Sequence, residues 1–245
     1  EGKHHQTSVF NTQAILKGDK YVINGSKTMV IDGTTANLLI VVCLVDENYS
    51  LFIVDAKSSG IIVSKKILMD SGSYADIIFK NVEVSVENQL NIKFEGRLFL
   101  DQLMTISYSG ISAELLGICK QAFDITIQYL KERQQFGVII GTYQALQHRA
   151  VILFSEIELC KSIVLKALQA IDENDTSALK YAHLAKAKLC KTAKLVTNEA
   201  IQLHGGIGVT DDADIGFYLK RARVAQQLFG DYNYHLDQLA KIKGY

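Results

Sequence analysis

The sequence predicts an α+β protein with more than one domain. An antiparallel β-barrel or sandwich over residues 1–94 precedes an up-and-down four-helix bundle over residues 95–245. Before residue 95, short runs of β-branched and aromatic residues alternate with turn residues and show no helical period. After residue 95, apolar residues recur every three or four positions along segments of five or more helical turns.

Short apolar runs predict the strands of the β domain. Residues 21–23 lead into Asn24 and Gly25, a pair that favours a hairpin turn. Leu38–Val45 and residues 51–54 flank a polar segment and predict a second hairpin. Further strands are expected at residues 61–63, 77–79 and 82–84. Strands at this spacing, without helices between them, are typical of an antiparallel sheet or a small barrel.

Three long amphipathic segments predict the main helices of the second domain, over residues 111–129, 146–168 and 178–200. The connections at residues 137–142 and 172–176 are short, so we expect these helices to be antiparallel neighbours. Shorter helices are expected over residues 214–228 and Tyr232–Ile242.

The charge balance limits the class of partner. The chain has 26 Lys and Arg against 26 Asp and Glu, so it lacks the basic excess that binding to nucleic acid or an anionic membrane surface requires. The apolar run Leu38–Val45 falls well short of the roughly 20 residues of a membrane helix. Four widely separated cysteines are expected to be buried, reduced thiols. We therefore expect a cytoplasmic protein.

Two helix ends carry residues suited to binding an anion. Arg133 ends the first long helix and Gln144 begins the next; a guanidinium can fork onto a phosphate, although it can equally complement the helix dipole. Gly205 and Gly206 follow the third helix and permit close approach of a ligand, although they are equally a helix stop. No strand precedes them, which excludes a Rossmann phosphate loop.

Other kinds of site are not indicated. The six histidines show no spacing for zinc, and we expect them to be solvated or capping. Asp211, Asp212 and Asp214 lack the glycine and terminal glutamate of a calcium loop and are better explained as an acidic helix N-terminus. Ser107 and Ser109 are not part of a nucleophile elbow.

The ordered combination of motifs is specific. A β segment YVINGSKTMVIDG, a helix end YLKERQQFG, then YQALQHR and EAIQLHGGIGVTDDADIGFYLKRARVAQQLFGD resemble the acyl-CoA dehydrogenase family across nearly the whole chain. The resemblance extends to bacterial members, including small subunits of dicarboxylyl- and steroid-side-chain-type dehydrogenases that pair with a different subunit.

The resemblance implies FAD-dependent α,β-dehydrogenation of an acyl-CoA thioester, in which a carboxylate removes the α-proton and the β-hydride passes to flavin N5. An electron-transferring flavoprotein then reoxidises the flavin. In the family, the matching motif residues contact the FAD of a neighbouring subunit, which implies a homo- or hetero-oligomer, a dimer or a tetramer. By position, the residues implied in FAD binding are Arg133, Phe136, Gln144, Gln202, Gly205 and Gly206, together with Met29 and Ile31 beside the flavin ring.

Three features depart from the family pattern. The family's N-terminal helical domain is not matched, so a complete family site requires residues that precede Glu1 in the native protein. The two family positions of the catalytic glutamate are occupied by Phe229 and Ser107, neither of which accepts a proton at neutral pH. The arginine that often grips CoA is replaced by Tyr108.

Two other carboxylates could act as the base. Glu114 lies two turns beyond Ser107 in an apolar segment, where desolvation would raise its pKa; it could instead make a structural hydrogen bond to a neighbouring helix. Asp231 follows the empty position by two residues and could instead cap the next helix. The chain is therefore expected to be an acyl-CoA dehydrogenase with a relocated base, or a non-catalytic subunit that completes the FAD site of a partner carrying the glutamate.

Overall fold

The structure is a computed structural model that describes residues 1, 5, 11–46, 48–90 and 96–245. The chain divides into two compact units, Glu1–Asp101 and Gln102–Tyr245. The domain boundary predicted between residues 94 and 95 lies outside the described residues. The predicted α+β class, with a sheet followed by long helices, is confirmed.

The first unit contains a six-stranded sheet. Its strands are β1 (Gln13–Lys17), β2 (Lys20–Ile31), β3 (Leu38–Val45), β4 (Asn48–Asp55), β5 (Ile61–Lys66) and β6 (Tyr74–Ser85), in the order β4-β3-β1-β2-β6-β5. Neighbouring strands are antiparallel except β1 and β3, which pair in parallel at Gln13 and Leu44. One face buries Ile23, Phe52 and Ile77, each at most 1% exposed. The sheet is thus antiparallel with a single parallel pairing among the described strands.

The hairpin turn predicted at Asn24 and Gly25 is wrong. Strand β2 runs through both residues, and the first hairpin turns instead at Gly18 and Asp19, between β1 and β2. Gly25 has a φ of +148°, and a Cβ there would lie 2.5 Å from the Cα of Thr12. The β2–β6 register shifts at this point, so the glycine serves a bulge and a close backbone approach rather than a turn. The second predicted hairpin is confirmed as β3–β4.

The second unit is built from helices. They are α1 (Gly96–Glu132, whose first turns belong to the first unit), α2 (Gln144–Asp172), α3 (Ala178–His204), α4 (Ile215–Gln227) and α5 (Tyr232–Ile242). A short hairpin joins α1 to α2. Its strands, β7 (Gln134–Gln135) and β8 (Val138–Ile139), have two residues each. The predicted helices are confirmed.

The helical core follows the predicted apolar faces. Leu115 of α1, Leu153 of α2 and Leu189 of α3 are at most 1% exposed and belong to one buried cluster. Along α3, Ala185, Ala193 and other small residues are fully buried, which lets neighbouring helices approach closely. The four cysteines are buried free thiols, as expected, and burial raises the pKa of the Cys43 thiol to about 12. None of the helices within the described residues has an apolar stretch that could cross a bilayer.

Candidate functional site

The end of α1 and the start of α2 are held together. The chain reverses through β7 and β8, and the N–H of Ile140 donates to the carbonyl oxygen of Arg133 at 2.9 Å. A Cβ on Gly141 would lie 2.7 Å from the carbonyl oxygen of Leu130, so only glycine lets this segment pack directly on α1. Arg133 and Gln144 therefore lie at the same end of the helical unit.

The diglycine motif ends α3. Gly205 has a φ of +66°, a backbone conformation that favours glycine, and its N–H donates to the carbonyl oxygen of Gln202. Both Gly205 and Gly206 are exposed, and an added Cβ on either would meet nothing within 4 Å. An open groove of about 240 Å³ adjoins this turn, lined in part by Gly208 and Phe217.

A ring stack joins these two helix ends. The rings of Tyr129 on α1 and His204 on α3 have centroids 4.4 Å apart and planes 24° from parallel. His204 is buried, and its Nδ1 donates to the carbonyl oxygen of Ala200 at 2.7 Å, which fixes the imidazole. Arg133 lies one turn beyond Tyr129, and Gly205 directly follows His204. This stack could not be predicted from the sequence, because a lone tyrosine and a lone histidine carry no pairing signal.

The polar groups at this end are available to a ligand. The side chains of Arg133, Gln144 and Gln202 are exposed and make no hydrogen bond or ion pair within the part of the chain that the structure describes. Phe136 is 87% exposed and has a φ of +54°. A guanidinium, two amides and an exposed diglycine form a donor set that suits the phosphates of a dinucleotide.

Met29 and Ile31 lie on β2 of the first unit. Their side chains are 41% and 43% exposed. Met29 has a φ of +53°, and its N–H donates to the Oδ1 atom of Asp76 at 3.1 Å. The Lys66 ammonium and this N–H together hold the pKa of Asp76 below its usual range. Two apolar side chains on an anchored strand are thus open to contact with a ring.

Ser107 and Phe229, the positions where the resemblance implies a catalytic glutamate, lie away from this end of the helical unit. Ser107 and Arg133 are separated on α1 by about 39 Å, at 1.5 Å per residue. The Ser107 hydroxyl donates to the carbonyl oxygen of Leu103 at 2.8 Å. Phe229 has a φ of +59° and packs partly buried against the helical core. The two positions therefore offer no proton acceptor.

The two alternative carboxylates are engaged in structural contacts. The apolar environment expected around Glu114 is wrong: its side chain is 39% exposed and accepts from Nε of Arg221 on α4 at 2.5 Å. Asp231 caps α5, and its carboxylate accepts from the N–H of Tyr234 at 2.9 Å. In both cases the structural alternative is the one observed.

Buried imidazole and phenol rings lie near the turn between α4 and α5. The expectation of solvated or capping histidines is wrong for His183 and His235, which are buried, with their Nδ1 atoms 2.7 Å apart. The ring of Tyr108, which stands where the resemblance implies a CoA-binding arginine, is centred 5.0 Å from His183 and 4.8 Å from His235. Burial lowers the pKa of His183 to about 4. No group of three or more potential ligand side chains within the described residues could hold a metal ion.

The comparisons with known proteins agree with this architecture. The family model described as acyl-CoA dehydrogenase, C-terminal domain, matches residues 100–243, and the middle-domain model matches residues 2–82. The bovine mitochondrial short/branched chain specific acyl-CoA dehydrogenase is 29% identical over 98% of this chain, which spans 57% of that relative.

Two solved structures share the fold over most of the chain. Butyryl-CoA dehydrogenase from Megasphaera elsdenii has a TM-score of 0.88 and 25% identity, covering 95% of this chain and 63% of that one. A chain in the structure described as the electron transferring flavoprotein of Acidaminococcus fermentans has a TM-score of 0.89 and 30% identity, with 95% and 63% coverage. On the match to its C-terminal and middle domains, the chain belongs to the acyl-CoA dehydrogenase family.

Proposed function

We propose that this chain is the FAD-binding part of an acyl-CoA dehydrogenase that oxidises an acyl-CoA thioester and passes electrons to an electron-transferring flavoprotein. The stack of Tyr129 on His204 is the observation that carries the proposal, because it places Arg133 and the diglycine at one end of the helical unit. The partner is supported by the similarity to a chain in a structure described as an electron transferring flavoprotein.

The residues at this end would bind the dinucleotide through its phosphates. The Arg133 guanidinium would fork onto phosphate oxygens, the amides of Gln144 and Gln202 would donate beside it, and the exposed diglycine would allow close approach. Met29 and Ile31, on the sheet of the first unit, would contact the isoalloxazine ring of the chain's own FAD, whereas the phosphates bound by Arg133 would belong to the FAD of another subunit. Bound FAD would supply the hydride acceptor of the reaction.

The separation within the helical unit supports a shared site. The phosphate-binding end lies about 39 Å from Ser107, farther than one extended dinucleotide reaches. We propose that the phosphate-binding end and the expected positions of the base serve the sites of two separate FAD molecules. This distance therefore supports a homo- or hetero-oligomer in which each phosphate-binding end meets the flavin of another subunit.

Flavin content tests the cofactor. We expect the purified protein to bind FAD, and Arg133→Ala to weaken binding at least about tenfold, as expected for a lost charged hydrogen-bond donor. Lys131→Ala removes an equal charge from the same helix end without removing the fork, and it should leave the affinity unchanged. Equal affinity in the Arg133→Ala variant and the wild type would refute the proposed FAD site.

The identity of the base can be tested with two isosteric variants. Asp231→Asn keeps a good N-cap and Glu114→Gln keeps an acceptor for Arg221, but each removes a carboxylate. If the chain is catalytic by itself, an acyl-CoA thioester should bleach its flavin under anaerobic conditions, and one of these variants should abolish the bleaching. Retained bleaching in both variants would reject Glu114 and Asp231 as bases.

A non-catalytic subunit is the second candidate function. It is favoured by the engagement of Glu114 with Arg221 and of Asp231 with the α5 N-terminus, since neither carboxylate is left poised as a base. In this case the wild-type flavin does not bleach, whereas Phe229→Glu restores a carboxylate at the family position and should confer bleaching. Bleaching of the wild-type chain without a partner would eliminate this function.

A further inference from the structure

Strand β2 carries a bulge opposite Asp76 of β6. The β2–β6 register shifts between Lys27 and Val30, so residues 28 and 29 together lie opposite a single residue of β6. Met29 has a φ of +53°, a left-handed conformation that residues other than glycine rarely adopt. Bulges re-aim side chains, and left-handed residues with a side chain are concentrated at binding and active sites. We therefore asked what holds this conformation.

The Asp76 carboxylate accepts the N–H that the bulge removes from the sheet ladder. Met29 has no partner in the β2–β6 register, and its N–H donates to Oδ1 of Asp76 at 3.1 Å. The other carboxylate oxygen, Oδ2, lies 2.8 Å from the ammonium of Lys66 on β5. One side chain thereby links the three neighbouring strands β2, β6 and β5.

The segment is also fixed at its other end. The N–H of Asp32 donates to the carbonyl oxygen of Ser73, just before β6, at 2.7 Å. Residues 29–31 are therefore tied to β6 on both sides, whereas the side chains of Met29 and Ile31 stay exposed. A fixed backbone with an exposed thioether suits contact with an aromatic ring. Of the two ties, only the one at Asp76 is made by a side chain and can be removed by substitution.

We propose that Asp76 is a positioning residue of the flavin site, which holds the β2 bulge so that Met29 faces the isoalloxazine ring. This inference rests on the proposed FAD site. Asp76 acts through the backbone of Met29 and does not itself touch the cofactor. Without its acceptor, the bulge can relax towards a regular ladder, and a slip of one residue turns a side chain to the other face of the sheet.

Removal of the carboxylate from the full chain tests this role. Asp76→Ala should shift the flavin absorption bands and weaken FAD binding about two- to tenfold, the size of a lost contact between a thioether and a ring. In the FAD-free protein, the Met29 amide should exchange with solvent at least about fivefold faster, because it has lost its acceptor. Asp76→Asn keeps an acceptor oxygen and should rescue affinity, spectrum and exchange. Equal losses in Asp76→Asn and Asp76→Ala would overturn the positioning role.

Two matched variants separate the hydrogen bond from the charge. Lys66→Met removes the ammonium but leaves the acceptor of the Met29 N–H. Glu83→Ala removes another β6 carboxylate that pairs with β2, through Lys20 at 2.9 Å, away from the bulge. Both variants should bind FAD with the affinity and spectrum of the wild type. A loss in either variant as large as that in Asp76→Ala would contradict the proposal.

A double-mutant cycle tests whether Asp76 acts through Met29. Met29→Gly suits the left-handed conformation but removes the thioether, so FAD binding should weaken about two- to tenfold while the urea midpoint of unfolding does not fall. Adding Asp76→Ala to Met29→Gly should weaken FAD binding little further, since no side chain is left to position. Additive losses of FAD affinity would overturn the proposal.

The outcomes distinguish this inference from the proposed function. If the wild type binds FAD and Asp76→Ala binds it with equal affinity and the same flavin spectrum, only the role of Asp76 is refuted. A wild-type chain that binds no FAD would refute the proposed function, and the role of Asp76 with it.

Discussion

The ammonium of Lys186 on α3 lies 3.1 Å from the carbonyl oxygen of Gly230, the residue after Phe229. It also donates to the carbonyl oxygens of Ala225 and Gln226, at 3.0 and 3.1 Å, near the end of α4. Because the last carbonyls of a helix have no intrahelical partner, this buried cation both ends α4 and fixes the turn to α5. The conformation at position 229 thus depends on a residue from a third helix.

Replacing Lys186 should destabilise the fold strongly. Lys186 is fully buried, and burial lowers the pKa of its ammonium. Lys186→Met leaves the carbonyl oxygens of Ala225 and Gly230 without this donor, and that of Gln226 keeps only the Cys190 thiol at 3.6 Å. At about 1–3 kcal/mol for each group left unsatisfied, we expect a loss of at least about 2 kcal/mol. Urea unfolding of the wild type and the variant measures the free energy of unfolding of each. Lys194→Met, at an exposed position of the same helix, should change it by less than about 0.5 kcal/mol; similar losses in the two variants would contradict this role.

The contrast between Lys186 and its neighbours also shows what the sequence could predict. The apolar period of α3 correctly predicted which face is buried, because packing of one helix follows a local rule. It could not predict that one of several lysines on α3 enters the core, since the acceptors lie about 40 positions later in the chain. In the same way, Asn24-Gly25 predicts a turn although strand β2 runs through it, because the contact that requires glycine there, with Thr12, is not encoded locally.

The candidate site shows the same difference between features that local sequence predicts and contacts between residues far apart in the chain. Arg133, Gln144 and the diglycine were found from motifs and helix ends, and up-and-down topology alone brings those ends together. The apolar neighbours of Glu114 in the sequence predict an apolar environment, whereas its side chain accepts a hydrogen bond from Arg221 of α4. Ring pairs such as Tyr129 with His204 join residues 75 positions apart and leave no local pattern.

Gly230 should tolerate no side chain. It has a φ of +109°, and an added Cβ would lie 2.3 Å from Cδ1 of Tyr234 and 2.9 Å from Nε2 of His235. Gly230→Ala should therefore destabilise the protein by on the order of 2 kcal/mol or more, through backbone strain and displacement of α5. Gly117→Ala, within α1 and facing open space, should instead stabilise it by about 0.5–1 kcal/mol. Thermal and urea unfolding of both variants should give shifts of opposite sign.

Acid should weaken the fold through His183. The pKa of its imidazole is lowered by burial from 6.5 to about 4 in the folded protein, so the unfolded chain binds more protons between these values. Stability is therefore full above pH 6.5 and falls as the pH drops towards 4, by up to about 3 kcal/mol at 1.36 kcal/mol per pKa unit.

Urea unfolding between pH 7.5 and 4 measures this effect. Carboxylates titrate in the same range, so the informative quantity is the difference between the wild type and His183→Gln. The destabilisation caused by His183→Gln should shrink as the pH falls, because the wild type loses stability that the variant cannot lose. His148→Gln, at an exposed position of α2, is the matched control. The difference between its free energy of unfolding and that of the wild type should not change with pH. A pH-independent difference for His183→Gln would contradict the assignment.

The stack of Tyr129 on His204 should couple the two halves of the proposed phosphate-binding end. Neither ring belongs to the proposed donor set, so Tyr129→Leu and His204→Leu act on FAD affinity only by letting the ends of α1 and α3 shift. We expect each single variant to weaken FAD binding several-fold and the double variant to weaken it little further, since the second change finds no stack to break. Such non-additivity, of about 0.5–1.5 kcal/mol, is typical of an aromatic pair. Flavin fluorescence titrations of the wild type and the three variants give the four FAD affinities of this double-mutant cycle. Additive losses, or single variants that bind FAD as the wild type does, would mean that the rings pack side by side without positioning Arg133 and Gly205.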